Sequence, residues 1–219
     1  MSLEEFKQVM PKDFSKEAEL IDKTIKDLNI AKNAKILDVG TGFGAMAILL
    51  ALNGFNVLTG QPKSDANWSH HHNHNSSHEH DCSHHFENVK SWSENALFLG
   101  VRDRIEFEYF DVEKLKFGSE SFDAVFMYDS LQHVSDRGLA LNQCLRVLKP
   151  EGLVCVIEWN KQTVDCWNTK EDLGMEYVDP REILGEEKVS FELVFGKEIN
   201  IYIIRKNLNN RFRLLWFTA

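Results

Sequence analysis

The run Lys35-Ile36-Leu37-Asp38-Val39 passes directly into Gly40-Thr41-Gly42-Phe43-Gly44, and then into an apolar stretch from Ala45 to Asn53 that stops at Gly54. The first run reads as a short buried strand, the last as a helix with glycine as its terminator. Three closely spaced glycines between them let the backbone approach a ligand with no Cβ in the way. The helix that follows aims its free N–H groups and partial positive charge at the same point, the carboxyl edge of a strand, where open α/β sheets bind ligands. A nucleotide-like cofactor is therefore expected at the turn, with a purely structural glycine turn as the plain alternative. Taken as Gly40, Gly42 and Ala45, the turn also satisfies the dinucleotide fingerprint, so a nicotinamide or flavin enzyme stays open on these residues alone.

The rest of the chain follows the same alternation. Ser15 to Leu28 repeats Ala18, Ile21, Ile25 and Leu28 at three- and four-residue steps, an amphipathic helix with Ser15 as N-cap. Phe55 to Thr59, Arg104 to Phe110, Phe122 to Tyr128 and Leu153 to Trp159 read as strands, with helices near Trp92 to Leu99 and Asp136 to Leu148. Ser190 to Phe195 and Asn200 to Ile204 lie close enough for antiparallel neighbours. The fold class expected is α/β: a doubly wound, mostly parallel seven-stranded sheet with an antiparallel terminal hairpin and helices on both faces. The tail from Asn207 to Ala219, with Arg211 and Arg213 among apolar residues, has no clear period and is assigned no function.

Length and composition set the outer limits. At 219 residues with 43% hydrophobic content, residues 1–219 fit a single domain with a proper core. A formal charge of −9 argues against a general nucleic-acid binder, which would present a net basic face. The start lacks the basic and apolar regions of a secretory signal, and the longest apolar run, Met46 to Leu52, is far short of the ~18 residues of a membrane span. Cys82, Cys144, Cys155 and Cys166 show no paired spacing, which fits free thiols in a reducing cytoplasm.

From Ile36 to about Trp159 the chain resembles the class I S-adenosylmethionine-dependent methyltransferases. The compact G-x-G-x-G with Asp38 two residues ahead of Gly40 carries the first part of the resemblance. Ile105-Glu106-Phe107-Glu108-Tyr109-Phe110-Asp111-Val112 resembles the family strand whose terminal acidic residue contacts the adenine. Phe122 to Tyr128 and Arg146-Val147-Leu148-Lys149-Pro150-Glu151-Gly152-Leu153 are similar to the next two signatures, with Glu151 where glycine is usual. The resemblance implies S-adenosylmethionine as cofactor. It places Asp38, Gly40, Thr41, Gly42 and Gly44 at the methionine end and Asp111 and Val112 beside the adenine, with Tyr128 also on the cofactor. In the family the second strand ends in an acid that accepts hydrogen bonds from both ribose hydroxyls; here that place is Gln61. A neutral amide offers one acceptor oxygen and one NH₂ donor and loses the charge-assisted part of that arrangement.

Directly after Gln61-Pro62, an insertion over residues 62–88 holds eight of the nine histidines. His70, His71, His72, His74, His78, His80, Cys82, His84 and His85 are the candidate metal ligands, since neutral imidazole suits Zn²⁺, Ni²⁺, Co²⁺ and Cu²⁺. Their spacing does not match a paired-ligand structural zinc site. Buffering or sensing is expected, with a solvated insertion of incidental metal affinity as the alternative. Beside the ribose position, the insertion could couple metal to cofactor binding.

Methyl transfer asks the protein to position a nucleophile, exclude water and remove a proton where needed. Asp129 and His133 after the fourth strand and Glu158 after the fifth are the candidate catalytic residues, with His133 the first choice as general base because its ordinary pKa lies near 6.5. A histidine that only packs or caps the Leu131-Gln132-His133-Val134 turn is the bland alternative. Three functions follow: a small-molecule methyltransferase influenced by a transition metal (Ni, Zn or Co), a metal sensor or metallochaperone on the same fold without turnover, and a nicotinamide-dependent oxidoreductase. A methyl acceptor and a divalent metal are the expected partners, with neither nucleic acid nor membrane, and a homodimer is left open.

Overall fold

The structure is a computed structural model that describes residues 2–64, 91–171 and 173–207. It divides after Asp111 into two compact units. The first holds α1 (Leu3–Val9), α2 (Lys12–Asp27), β1 (Lys35–Val39), α3 (Ala45–Leu52), β2 (Asn56–Gln61), α4 (Trp92–Phe98) and β3 (Ile105–Tyr109). β2 pairs in parallel with both β1 and β3, so Asp38 lies opposite Thr59 and Gln61 opposite Tyr109.

Local chemistry explains the boundaries. α1 opens on a capping box in which Ser2 and Glu5 each satisfy the other's backbone N–H. At seven residues it is too short to show a period, and sequence reading passes over it. α2 starts at Lys12, not after Ser15: Pro11 is its N-cap, and the Ser15 hydroxyl donates to the Lys7 carbonyl at 3.0 Å instead of capping. The buried face of α2 is the expected one, Ala18, Ile21 and Ile25, extended by Phe14, which meets Phe6 of α1 edge to face at 5.6 Å. α3 is buried from Met46 to Ala51, as a helix apolar on all sides must be.

The second unit holds β4 (Phe122–Tyr128), α5 (Arg137–Val147), β5 (Leu148–Trp159), α6 (Lys161–Glu171), α7 (Pro180–Ile183), β6 (Val189–Phe195) and β7 (Ile199–Lys206). β4 and β5 run parallel, while β7 is antiparallel to both β5 and β6. β5 begins at Leu148 rather than Leu153. Phe122 lies opposite Leu148 and Ala124 opposite Leu153, so Lys149 to Gly152 are taken up in an irregularity that keeps the pairing going. A Cβ on Gly152 would come within 2.6 Å of the Asp123 carbonyl, which is why glycine stands there. The seven strands form the mixed, mostly parallel sheet with an antiparallel C-terminal pair that the sequence leads one to expect. Cys144 and Cys155 are free and buried, and burial pushes both thiols up to about 12. No helix among the described residues is long and apolar enough to cross a membrane.

Candidate functional site

In the first unit the glycine turn is built as its composition demands. Gly40, Gly42 and Gly44 have φ of 92°, 47° and 81°, a region in which side chains are strained. Gly44 is the N-cap of α3 and makes no side-chain cap, and among the described residues no side chain takes up the first-turn N–H groups of the helix. A Cβ on Gly44 would also sit 2.7 Å from Cβ of Trp92 at the start of α4. Trp92 in turn stacks on Phe107 at 5.6 Å and lies under the Arg102 guanidinium at 4.7 Å.

Behind the turn runs a buried polar chain. Thr59 Oγ1 donates to Asp38 Oδ2 at 2.7 Å and lies 2.9 Å from Thr41 Oγ1. Asp38 is fully buried, and its other oxygen, Oδ1, has no hydrogen-bond partner among the described residues. Burial raises the Asp38 carboxyl to about 7, against the opposing effect of the Thr59 hydroxyl. Gln61 ends β2 and turns its side chain toward the glycines: Gly42 N–H donates to Gln61 Oε1 at 3.1 Å. Asp111 is partly exposed beyond the end of β3.

The second unit carries the other candidates at the carboxyl ends of β4 and β5. Asp129 sits in the left-handed region at φ 48°, where aspartate is one of the few residues tolerated. Its Oδ1 accepts from the Trp159 indole N–H at 2.7 Å and from the Gln132 amide. Glu158 is 3% exposed, and its Oε1 accepts from Leu131 N–H at 2.8 Å and Ser130 N–H at 3.2 Å. Burial, reinforced by the Asp129 charge, raises Glu158 to about 8, although the two N–H groups and Arg137 pull the other way. Glu158 thus fastens the short 3₁₀ turn Leu131–His133, while His133 itself is exposed. Arg137 closes the same turn from outside, donating to the Leu131 and Gln132 carbonyls at 3.2 Å and to Glu176 at 2.6 Å. Val112 is buried, and Tyr128 is half-buried with its ring 6.2 Å from Trp159.

Residues 37–156, more than half of the chain, match the family of methyltransferase domains. The chain belongs to that family. The 27-O-demethylrifamycin SV methyltransferase of Amycolatopsis mediterranei is 29% identical over 133 residues, 61% of this chain and 41% of that protein. A demethylmenaquinone methyltransferase of Clavibacter sepedonicus is 28% identical over 151 residues, 67% of this chain and 49% of that protein. This chain therefore spans less than half the length of these curated relatives. Among solved structures, a SAM-dependent methyltransferase from Aquifex aeolicus shares the fold at TM-score 0.55 and 17% identity, covering 93% of this chain and 98% of that one.

The methyltransferase-domain cofactor, S-adenosylmethionine, suits the residues of the first unit. An unpartnered carboxylate oxygen on Asp38, a glycine cradle and a helix start without a side-chain cap are what a ligand with an ammonium and a carboxylate on one carbon would need. The candidate metal ligands from His70 to His85 lie outside the described residues; among the described residues no group of three or more His, Cys, Asp or Glu could hold a metal ion. Sequence reading missed Thr59, Gln132, Arg137 and Trp159. Thr59 was visible as a polar residue in an apolar strand facing Asp38; the other three become meaningful only once the Asp129–His133 turn is folded.

Proposed function

We propose that this methyltransferase domain transfers a methyl group from S-adenosylmethionine to a small-molecule acceptor in the cytoplasm. The observation that carries the reading is the glycine turn backed by Asp38, whose buried Oδ1 has no partner among the described residues. Asp38, Gly40, Thr41, Gly42 and Gly44 would hold the methionine end, Gln61 the ribose, and Asp111 and Val112 the adenine, with Tyr128 also on the cofactor. The cofactor supplies an activated methyl on a sulfonium. The chain's own part is to bind, orient, exclude water and accept a proton. His133, exposed at the end of its turn, is the candidate proton acceptor; Asp129 and Glu158 fix that turn. The histidine-rich residues 70–85 are proposed to bind Ni²⁺, Zn²⁺ or Co²⁺, with neutral imidazoles as ligands.

A second reading, a metal sensor on this fold without turnover, is favoured by Gln61, whose oxygen is already engaged by Gly42. Release of S-adenosylhomocysteine from S-adenosylmethionine, followed over a panel of small phenols, quinols and amines with and without each metal, separates the two. Turnover with any acceptor supports the methyltransferase. Cofactor binding with no turnover anywhere, together with metal binding that alters cofactor affinity, favours the sensor.

A further inference from the structure

At the carboxyl end of β5 an acidic pair meets a chain of aromatic rings, all within the second unit. Tyr128, Trp159 and Trp167 follow one another edge to face, with centroids 6.2 Å and 4.8 Å apart. Trp159 is nearly covered, whereas Tyr128 and Trp167 are half-buried. The Trp159 indole N–H is held by Asp129 Oδ1, so the aromatic wall is anchored to a carboxylate. Beside it, Glu158 is 97% buried by its 3% exposure, and both of its donors go to Oε1; Oε2 receives no hydrogen bond among the described residues. An organic ammonium beside a buried acid that leaves one oxygen without a donor favours the ionised form of that acid, and half-buried aromatic rings next to it add the attraction of their quadrupoles.

Two neighbouring cations are engaged elsewhere. Arg137 bonds two carbonyls of the turn and Glu176, and Lys161 at the start of α6 pairs with Asp165 at 3.1 Å. His133 lies on the exposed end of the turn. An alcohol, phenol or quinol acceptor carries no positive charge for the two carboxyls to meet. We infer that the methyl acceptor of this domain is an amine, bound as its ammonium against Tyr128 and Trp167 with Glu158 Oε2 and Asp129 facing its charge. This rests on the methyltransferase reading above and names the substrate class for the same site. Before the nitrogen can accept a methyl group it must lose a proton: its N–H bond breaks, the bonding pair stays on nitrogen, and the proton forms an O–H bond at Glu158 Oε2. The ammonium's own charge keeps Glu158 ionised for this step, and for an amine Glu158 takes the acceptor's part that the reading above gives to His133.

The test uses a cation and its uncharged isostere, choline and 3,3-dimethylbutan-1-ol, titrated calorimetrically into the full chain already saturated with S-adenosylhomocysteine. Saturation keeps the probe out of the cofactor's own sulfonium position and establishes cofactor binding separately. Choline is expected to bind at least tenfold more tightly than the isostere. Glu158→Gln, whose amide oxygen can still accept both turn N–H groups, should remove most of that preference, and Trp167→Leu should weaken choline at least fivefold without lowering Tm by more than a few degrees. Equal affinity for the two probes, or no binding of choline to protein that has bound S-adenosylhomocysteine, overturns the amine assignment while leaving the methyltransferase reading in place. Failure to bind S-adenosylhomocysteine at all overturns both.

Discussion

Asp38 and Glu158 are buried acids held above the ordinary carboxyl range, to about 7 and about 8, and each raised chiefly by burial. Between the unfolded pKa near 4 and these values the folded chain keeps protons that the unfolded chain has released. The stability they contribute is therefore present in full below about pH 4 and is lost as pH rises through about 7 for Asp38 and about 8 for Glu158. The groups acting on Glu158 are Asp129, Arg137 and the N–H groups of Ser130 and Leu131. Thermal melts of the parent and Glu158→Gln should diverge as pH rises from 5 to 8.5, with the parent losing ground; a pH-independent gap would contradict the burial of an ionisable acid. At Gln61 the structure gives the amide a task that the sequence did not reveal, accepting from Gly42. A glutamate could keep that bond and add a charged acceptor for the ribose hydroxyls, so Gln61→Glu is expected to tighten S-adenosylhomocysteine binding roughly 10–100-fold in calorimetry. Unchanged or weaker binding would remove the ribose from Gln61's surroundings.

At the scale of elements, β2 and β3 approach too closely for any side chain at Gly60, where a Cβ would lie 2.0 Å from the Glu108 carbonyl and 2.4 Å from the Phe110 ring. Gly60→Ala should cost about 3 kcal/mol or more and lower Tm by roughly 6–12 °C, read by calorimetry. The N-cap of α5 is a smaller case: Asp136 accepts from Leu139 N–H at 2.8 Å, and Asp136→Ala should cost about 1 kcal/mol, roughly 2–4 °C. Elements with long apolar runs or strong punctuation were legible: β1, β4 and α3 stand where their residues placed them, because buried strands and a glycine-flanked helix announce their ends. α1 and α7 were not legible, since seven and four residues show no period. Ser15 misled because a cap residue looks the same inside a helix, where its hydroxyl serves another segment's carbonyls. The β5 start was hidden because Pro150 and Gly152 read as a turn, whereas the chain absorbs them in a pairing irregularity. In the candidate site, the glycine turn was readable from its spacing and Asp38 from the family resemblance that the turn carries; the Asp129–Trp159 and Glu158–Leu131 bonds join residues about thirty positions apart and belong to tertiary structure.

For the whole chain, an acidic balance of −9 and a cofactor turn at the first strand support the proposed small-molecule acceptor over a nucleic-acid one. The histidine-rich stretch adds a metal function proposed independently of the fold. Replacing residues 70–85 with a Gly/Ser linker should abolish tight uptake of Ni²⁺ or Zn²⁺ in equilibrium dialysis, and retained stoichiometry would place the ligands elsewhere. Uptake by the parent should also fall below about pH 6.5, where imidazole is protonated. The central claim is that the Gly40–Gly44 turn with Asp38 holds S-adenosylmethionine. Its most direct test is calorimetric titration of S-adenosylhomocysteine into the parent and into Gly42→Val, with melts confirming that both are folded. Saturable one-to-one binding in the parent, lost or weakened at least a hundredfold in the folded variant, is the expected result; no saturable binding in the folded parent, or equal binding in both, would contradict the claim.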